Sequence, residues 1–182
     1  MKSDARMAHA VSRVHESELP LVYVNMVGGQ DELVYDGASF ALNADGKLAA
    51  HLPSFSEQTS VIRVGEDFGV PSLTGQMTPP DDGMGALYRG LTLGLRDYID
   101  KNGFPGVVLG LSGGIDSAIV AALAVDALGA ERVHAVMMPS PYTSQESLDD
   151  AADLAGRLGI RLNEISIAPA MKAMSDMMAP QF

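Results

Sequence analysis

Hydrophobic and polar positions change texture twice along the chain. Over residues 21–64, short apolar runs such as LVYVNMV, ELVYDG, ASFALN and KLAAHL alternate with turn residues, the pattern of strands joined tightly. Asn43-Ala44-Asp45-Gly46 has hairpin chemistry, because Asp-Gly tolerates positive φ. Ahead of it, residues 5–15 predict a short helix with a thin apolar face. The next stretch, GEDFGVPSLTGQMTPPDDGMG, brings Gly, Pro and Asp together without a sustained period and reads as a linker over residues 65–83. From residue 84 onward the period is that of helices and buried strands. Leu87, Leu91, Leu95 and Ile99 share a helical face that Gly103 brings to a stop.

GVVLGL, RVHAVMMP and IRLNEISI then predict three buried strands. Between the first two, residues 116–128 form a helix with Ile119, Val120, Leu123, Ala124 and Ala127 on its apolar side and Gly129 beyond its end. Between the second and third, Thr143 with Glu146 fits a capping box. The helix it opens repeats Leu148, Ala151, Leu154, Ala155 and Leu158 and stops at Gly159. Strand, helix, strand, helix, strand at this spacing predicts a mainly parallel α/β sheet. Two units follow: residues 1–64 and residues 84–182.

Composition narrows the function. A formal net charge of −11 argues against nucleic acid or an anionic membrane surface as partner, since both need clustered Lys and Arg. The absence of cysteine removes disulfides, thiolate metal sites and a cysteine nucleophile from these 182 residues. No apolar stretch has the length of a membrane helix, and the start lacks the apolar centre of a secretory signal, so a cytoplasmic protein is expected. The four histidines, His9, His15, His51 and His134, have no ligand spacing, and neither do Gln30, Asp31, Glu32 and Asp36.

The most informative residues are Ser112, Gly113, Gly114, Ile115, Asp116 and Ser117, set between the first buried strand and its helix. Ligands in open α/β sheets sit at the carboxyl ends of strands, where this turn is expected. Glycines let the backbone approach a ligand, the helix start offers N–H groups to an anion, and the serines add hydroxyls. Asp116 would repel a phosphate unless a cation lay between them, and Mg²⁺ supplies one. No Lys follows the glycines, which separates the turn from the GxxxxGK[ST] loop. Gly-Gly with a capping Asp-Ser is also a common plain turn, so the complete Ser-Gly-Gly-x-Asp-Ser order carries the weight.

LSGGIDS resembles the pyrophosphate-binding loop of the ATP pyrophosphatase superfamily. VMMPSPYTSQESLDDAADLAGRLGI is similar to the corresponding region of NAD synthetases, and LPLVYVNMVGGQDELVYDGASFAL resembles the end of the nitrilase-like glutaminase domain fused ahead of them. The resemblance implies an adenine nucleotide alpha-hydrolase-like (Rossmann-like) domain preceded by the last strands of a nitrilase-like α/β sandwich. It also implies ATP-dependent amidation of deamido-NAD with ammonia from glutamine, through an acyl adenylate, in a homo-oligomeric parent. On this reading Ser112, Gly113, Gly114, Ile115 and Ser117 cradle pyrophosphate and Asp116 holds Mg²⁺. Adenine rests near Met137, Met138 and Pro139. Ser140, Tyr142, Thr143, Ser144 and Ser147 match a loop closing over the reacting groups.

Lys2 and Arg6 resemble a family K-x-x-x-R element, with Arg6 available to a glutamine carboxylate or simply solvated on a helix face. The family's glutaminase uses Glu, Lys and Cys, and a chain without cysteine lacks that nucleophile. The chain is therefore expected to be an internal piece of the ligase, inactive alone. Two rivals stay open: another ATP pyrophosphatase, such as a GMP synthetase or a tRNA-thiolating enzyme, and a non-catalytic ATP-binding module.

Overall fold

The computed structural model describes residues 2–67, 69–81 and 83–180, excepting the side chains of residues 2–4 and 67. It divides into two compact units, Met1–Gly94 and Leu95–Phe182.

The first unit begins with helix α1 (Lys2–Ser17), longer at both ends than its sequence pattern predicts. Its Ala10 and Val14 are buried with Phe40 and Leu42. The LVYVNMV run breaks into β1 (Leu21–Tyr23) and β2 (Val27–Gln30). β2 forms a hairpin with β3 (Leu33–Asp36), whereas β1 pairs antiparallel with β4 (Phe40–Leu42). β4 in turn pairs with β5 (Leu48–His51), giving the order β1-β4-β5. The β4–β5 turn is the one expected: Gly46 adopts φ 77° and donates its N–H to the Asn43 carbonyl at 2.8 Å.

The stretch read as a linker contains structure. β6 (Arg63–Asp67) and β7 (Val70–Thr74) pair as an antiparallel hairpin, turned by Gly69 at φ 81°. A two-stranded ribbon of mixed polarity leaves little periodic signal, since only Leu73 of β7 is buried, beside Ala41, Ala49 and Ala50. Asn43 ties the hairpin down: its Oδ1 accepts the Leu73 N–H at 2.7 Å and its Nδ2 donates to the Leu73 carbonyl at 3.3 Å. Helix α2 (Gly83–Lys101) follows and crosses the division between the units.

The second unit is the parallel α/β unit the pattern predicts. β8 (Val107–Gly110), β9 (Val133–Met137) and β10 (Arg161–Glu164) pair parallel in the order β10-β9-β8. Helix α3 (Ile115–Leu128) and a short 3-10 turn (Ala130–Arg132) connect β8 to β9, and α4 (Gln145–Leu158) connects β9 to β10. Helix α5 (Ala168–Met178) comes last. Val133, Ala135 and Met137 point into one core with Ala121, Ala124, Ala151 and Ala155, while Val108 on the alternate face is 72% exposed.

Three details differ from the periodic pattern. On α3 the buried stripe is Ala121, Ala124, Ala127 and Leu128, and Ile119 and Val120 are each 51% exposed. An apolar side chain at nearly every position gives α3 no dominant apolar direction, so its small residues settle which face packs closely. On α2 only Leu95 and Ile99 join the core of the second unit; Leu87 and Leu91 stay half exposed. The cap of α4 is Ser144, one residue later than expected: its side chain accepts the Ser147 N–H, while Thr143 Oγ1 accepts the Ser140 N–H at 2.9 Å. Gly159, at φ 68°, closes α4 as expected.

The ion pair of the first unit generates a test. Arg6 Nη1 and Nη2 donate to Asp36 Oδ1 and Oδ2 at 2.8 and 2.7 Å, and Asn25 Nδ2 donates to Asp36 Oδ1 at 2.7 Å. The Arg6 guanidinium lies 5.6 Å from the Tyr23 ring centroid, and Tyr23 stacks on buried Phe40 at 5.1 Å. The hydrogen bonds from Arg6 hold the Asp36 carboxyl below its ordinary range, against partial burial, and Asp36 raises Arg6. A carboxyl lowered in the folded state stabilises above its unfolded pKa and loses that contribution as pH falls through the folded value. Asp36→Asn should therefore lower stability by about 1 kcal/mol at pH 7, the scale of a partly exposed ion pair. In thermal unfolding followed from pH 7 downward, the gap between the two proteins should close below about pH 4.

Candidate functional site

β8, β9 and β10 run parallel, so their carboxyl ends share one edge of the sheet. The Ser112–Ser117 turn leaves the end of β8, and the segment from Met138 to Ser147 leaves the end of β9. Leu111 prolongs the pairing by donating its N–H to the Val136 carbonyl at 3.0 Å, and the chain then turns sharply.

Gly113 carries two separate demands for glycine. Its φ is 80°, a region that side-chain-bearing residues rarely adopt. A Cβ there would also lie 2.3 Å from the Ser147 carbonyl oxygen and 2.8 Å from Ser147 Cα. The turn is thus seated against the first turn of α4, which joins two segments that the sequence places 34 positions apart. Gly114 precedes α3 in extended conformation, with φ −83° and ψ 154°, and its carbonyl accepts the Ala118 N–H at 3.1 Å. The N–H groups of Ile115, Asp116 and Ser117 precede that first helical bond and so have no acceptor within the helix. They form the positive end of the α3 dipole.

Asp116 lies in the first turn of α3, exposed, and among the described residues its carboxylate has no hydrogen-bonding or ionic partner. No group of three or more His, Cys, Asp or Glu side chains among the described residues could enclose a metal ion. One free carboxylate beside backbone donors fits Mg²⁺ all the same, because Mg²⁺ usually takes one or two carboxylates and completes its shell with water and phosphate oxygens. It does not fit a cation held by protein alone.

The second segment is ordered by its own hydroxyls. Tyr142 donates its N–H to Ser140 Oγ at 3.1 Å, Ser140 Oγ lies 3.1 Å from Thr143 Oγ1, and Ser144 Oγ donates to Ser147 Oγ at 3.0 Å. The hydroxyls are therefore bonded in two pairs, Ser140 with Thr143 and Ser144 with Ser147, whereas the Tyr142 side chain is 87% exposed. Met138 is exposed, and its Cε would lie 3.5 Å from a Cβ built on Gly110. Met137 is buried in the core, and the Pro139 carbonyl accepts the Ile167 N–H at 3.0 Å. Of the three residues expected near adenine, Met137 is buried, Pro139 half-buried and Met138 exposed.

In the first unit, the terminal nitrogens of Arg6 are both engaged by Asp36. The side chain is therefore not simply solvated on a helix face, and sequence spacing gives no signal for a partner 30 positions away. The Lys2 side chain lies outside the described residues. His51 is buried and satisfied, with Nδ1 2.9 Å from the Thr78 carbonyl. A cavity of about 360 Å³ in the first unit, lined in part by Tyr23, Asn25, Ser39, Phe40, Leu52 and Ile62, contains no carboxylate, lysine, histidine or cysteine. Its tyrosine, serine and threonine hydroxyls have no carboxylate, lysine or histidine among the lining residues to activate them.

The Gly113 geometry predicts that Gly113→Ala will cost about 2 kcal/mol or more, because the clash is with backbone and the φ is unfavourable. Denaturant unfolding checks the size. Amide exchange should rise in the first turn of α4, around Ser147, as well as in the turn itself.

Comparison with known proteins places this site in context. The glutamine-dependent NAD(+) synthetase of Rhodobacter capsulatus is 53% identical over 169 residues, 91% of this chain and 30% of that protein. The enzyme of the same description from Synechocystis sp. is 42% identical over 181 residues, 98% of this chain and 32% of its own. A solved structure of glutamine-dependent NAD+ synthetase from Acinetobacter baumannii, in complex with adenosine diphosphate, superposes with a TM-score of 0.90 at 42% identity. It covers 100% of this chain and 34% of that one. The chain thus spans about a third of the length of the relatives it matches. The NAD synthase family pattern matches residues 87–182, more than half of the chain and the whole of the strand, glycine turn and helix described above. The chain belongs to the NAD synthase family.

Proposed function

We propose that this chain supplies the ATP site of a ligase that converts deamido-NAD to NAD with ammonia drawn from glutamine. The observation that carries the reading is the Gly113 turn at the end of β8, seated against the Ser147 backbone and followed by a first helical turn that holds Asp116. The names of the relatives, glutamine-dependent NAD(+) synthetases, and the adenosine diphosphate bound to one of them support the same nucleotide and reaction.

In the proposed reaction an oxygen of the nicotinate carboxylate attacks the α-phosphorus of ATP, and the bond to pyrophosphate breaks. Ammonia then attacks the acyl carbon, AMP leaves, and the nitrogen's surplus proton passes to solvent or a nearby base. The chain's part is positioning and charge stabilisation. Backbone N–H groups of the turn and of Ile115 to Ser117 would hold pyrophosphate oxygens as negative charge moves onto them. Met138 would offer an apolar surface to adenine, and Tyr142 would project from the segment that borders the reacting groups. Asp116 would hold Mg²⁺, which when bound offsets the repulsion between the carboxylate and the phosphates. Residues 1–64 are read as the end of a nitrilase-like glutaminase domain, and a cytoplasmic homo-oligomer is part of the same proposal. No helix among the described residues is long and apolar enough to cross a membrane.

Two measurements test the reading. In the full-length protein, Asp116→Asn should reduce ATP–pyrophosphate exchange dependent on deamido-NAD by about a hundredfold or more, the scale of losing one preorganised electrostatic contact. Glutamine hydrolysis should change little. ATP binding without exchange in the unaltered protein would identify a binding module instead of a ligase. The 182-residue chain measured alone should release no ammonia from glutamine, having no cysteine, and should form no NAD from deamido-NAD, ATP and ammonia. NAD formation by the isolated chain would sink the proposal that further residues are required.

A further inference from the structure

We infer that Val34 and Gly94 form a positioning contact by which the first unit holds the leading half of helix α2, and that use of glutamine-derived ammonia depends on this seat. The inference rests on the ligase reading for the ammonia, and on geometry alone for the seat.

Helix α2 carries Gly83, Gly85, Gly90 and Gly94, although glycine inside a helix weakens it relative to alanine. Close approach to the backbone is one reason to keep such residues. Gly85 shows no such need, since a Cβ there would meet only the side chain of Arg89, one turn along the same helix, at 3.6 Å. Gly90 and Gly94 are different. They lie one turn apart on the face that also carries buried Ala86. A Cβ on Gly90 would touch the Phe55 ring at 3.4 Å. A Cβ on Gly94 would lie 2.9 Å from Val34 Cγ2, nearer than two such carbons settle. Val34 is β-branched, so its methyl groups have few other positions to take. All of these contacts lie within the first unit, Met1–Gly94.

Strand β3 supplies both partners. Val34 belongs to it, and Asp36, two positions on and so on the same face, accepts the Phe55 N–H on its main-chain carbonyl at 2.8 Å. Phe55 has φ 56°, a left-handed conformation that an aromatic residue keeps only where its surroundings enforce it. The carboxylate of the same Asp36 is the one that Arg6 and Asn25 hold. The seat of α2 is thus built on the strand that carries the ion-paired cluster.

The NAD synthase family pattern begins at residue 87, so residues 87–94 belong to the synthase by sequence and to the first unit by packing. The helix then continues without a break through Leu95 and Ile99, which pack in the core of the second unit, while Arg96 Nε donates to the Ala127 carbonyl at 2.9 Å. Those contacts hold α3 whatever happens at the seat. A crowded seat therefore alters the first unit's hold on the synthase and leaves the chemistry on ATP in place.

The test uses the full-length protein with Gly94→Ala, Val34→Ala, the two combined, and Gly85→Ala. NAD formed per glutamine hydrolysed is compared with NAD formed from added ammonia. Gly94→Ala should lower the NAD formed per glutamine by about tenfold, the effect of a sub-ångström misplacement far from the chemistry, and leave the rate with saturating ammonia within about twofold. Val34→Ala removes Cγ2, so the combined variant should recover the ratio to within about twofold of the unaltered protein, as coupled neighbours do. Gly85→Ala gains the same helix propensity without touching the seat and should match the unaltered protein. Amide exchange across the β2–β3 hairpin should rise in Gly94→Ala and return in the combined variant. An unchanged ratio in Gly94→Ala, or a fall that Val34→Ala does not reverse, would overturn the coupling role. If the unaltered protein forms no NAD from either nitrogen source, the ligase reading fails with the coupling role, and the exchange measurement alone decides whether the seat exists.

Discussion

The close approach of α3 and α4 over β9 is the constraint on which the second unit depends. Ala121 and Ala124 on α3, Ala135 on β9, and Ala151 and Ala155 on α4 are each at most 2% exposed and belong to one core. Methyl groups are what allow backbones to come this near; a longer side chain at any of these positions would need space that close packing does not leave. Because α4 is held that close, the backbone of Ser147 reaches Gly113. Packing in the middle of the helices therefore determines geometry at their ends, where chemistry would take place.

The same economy of space explains what the sequence made legible. Three apolar runs, two helical repeats and the glycines between them were enough for the parallel unit, because strand and helix periods differ and Gly103, Gly129 and Gly159 mark the stops. The composition of α3 was misleading for a definite reason. Nearly every position is apolar, so ranking by hydrophobicity adds Ile119 and Val120 to Ala124 and Ala127, whereas close contact selects Ala121 and Leu128 beside those two alanines. The cap of α4 went one residue astray because Thr143 and Ser144 are chemically equivalent as caps, and only the backbone decides which of them reaches a free N–H.

In the first unit the signal was weaker, for want of long-range pattern. The β4–β5 turn was legible from Asn43 to Gly46, yet the bond that Asn43 makes to Leu73 was not. Asp36 offered no sign that it would meet Arg6, and the β6–β7 hairpin hid among Gly, Pro and Asp. Such contacts depend on where strands are brought in space rather than on local period. The candidate site is readable as a run of residues, from Ser112 to Ser117, but not as an arrangement. Which main chain the glycines are seated against is a fact of geometry.

The seating of Gly113 on Ser147 also bears on whether the Ser-Gly-Gly-x-Asp-Ser sequence is a portable device. The wall behind Gly113 is the main chain of another helix, contributed with no regard to side-chain identity. Grafted onto an unrelated strand and helix, the six residues would carry their serines, glycines and aspartate but leave that wall behind. What would have to be transplanted is the spacing between two crossovers, and a search for such sites by short pattern alone will collect turns that share the letters and lack the mould.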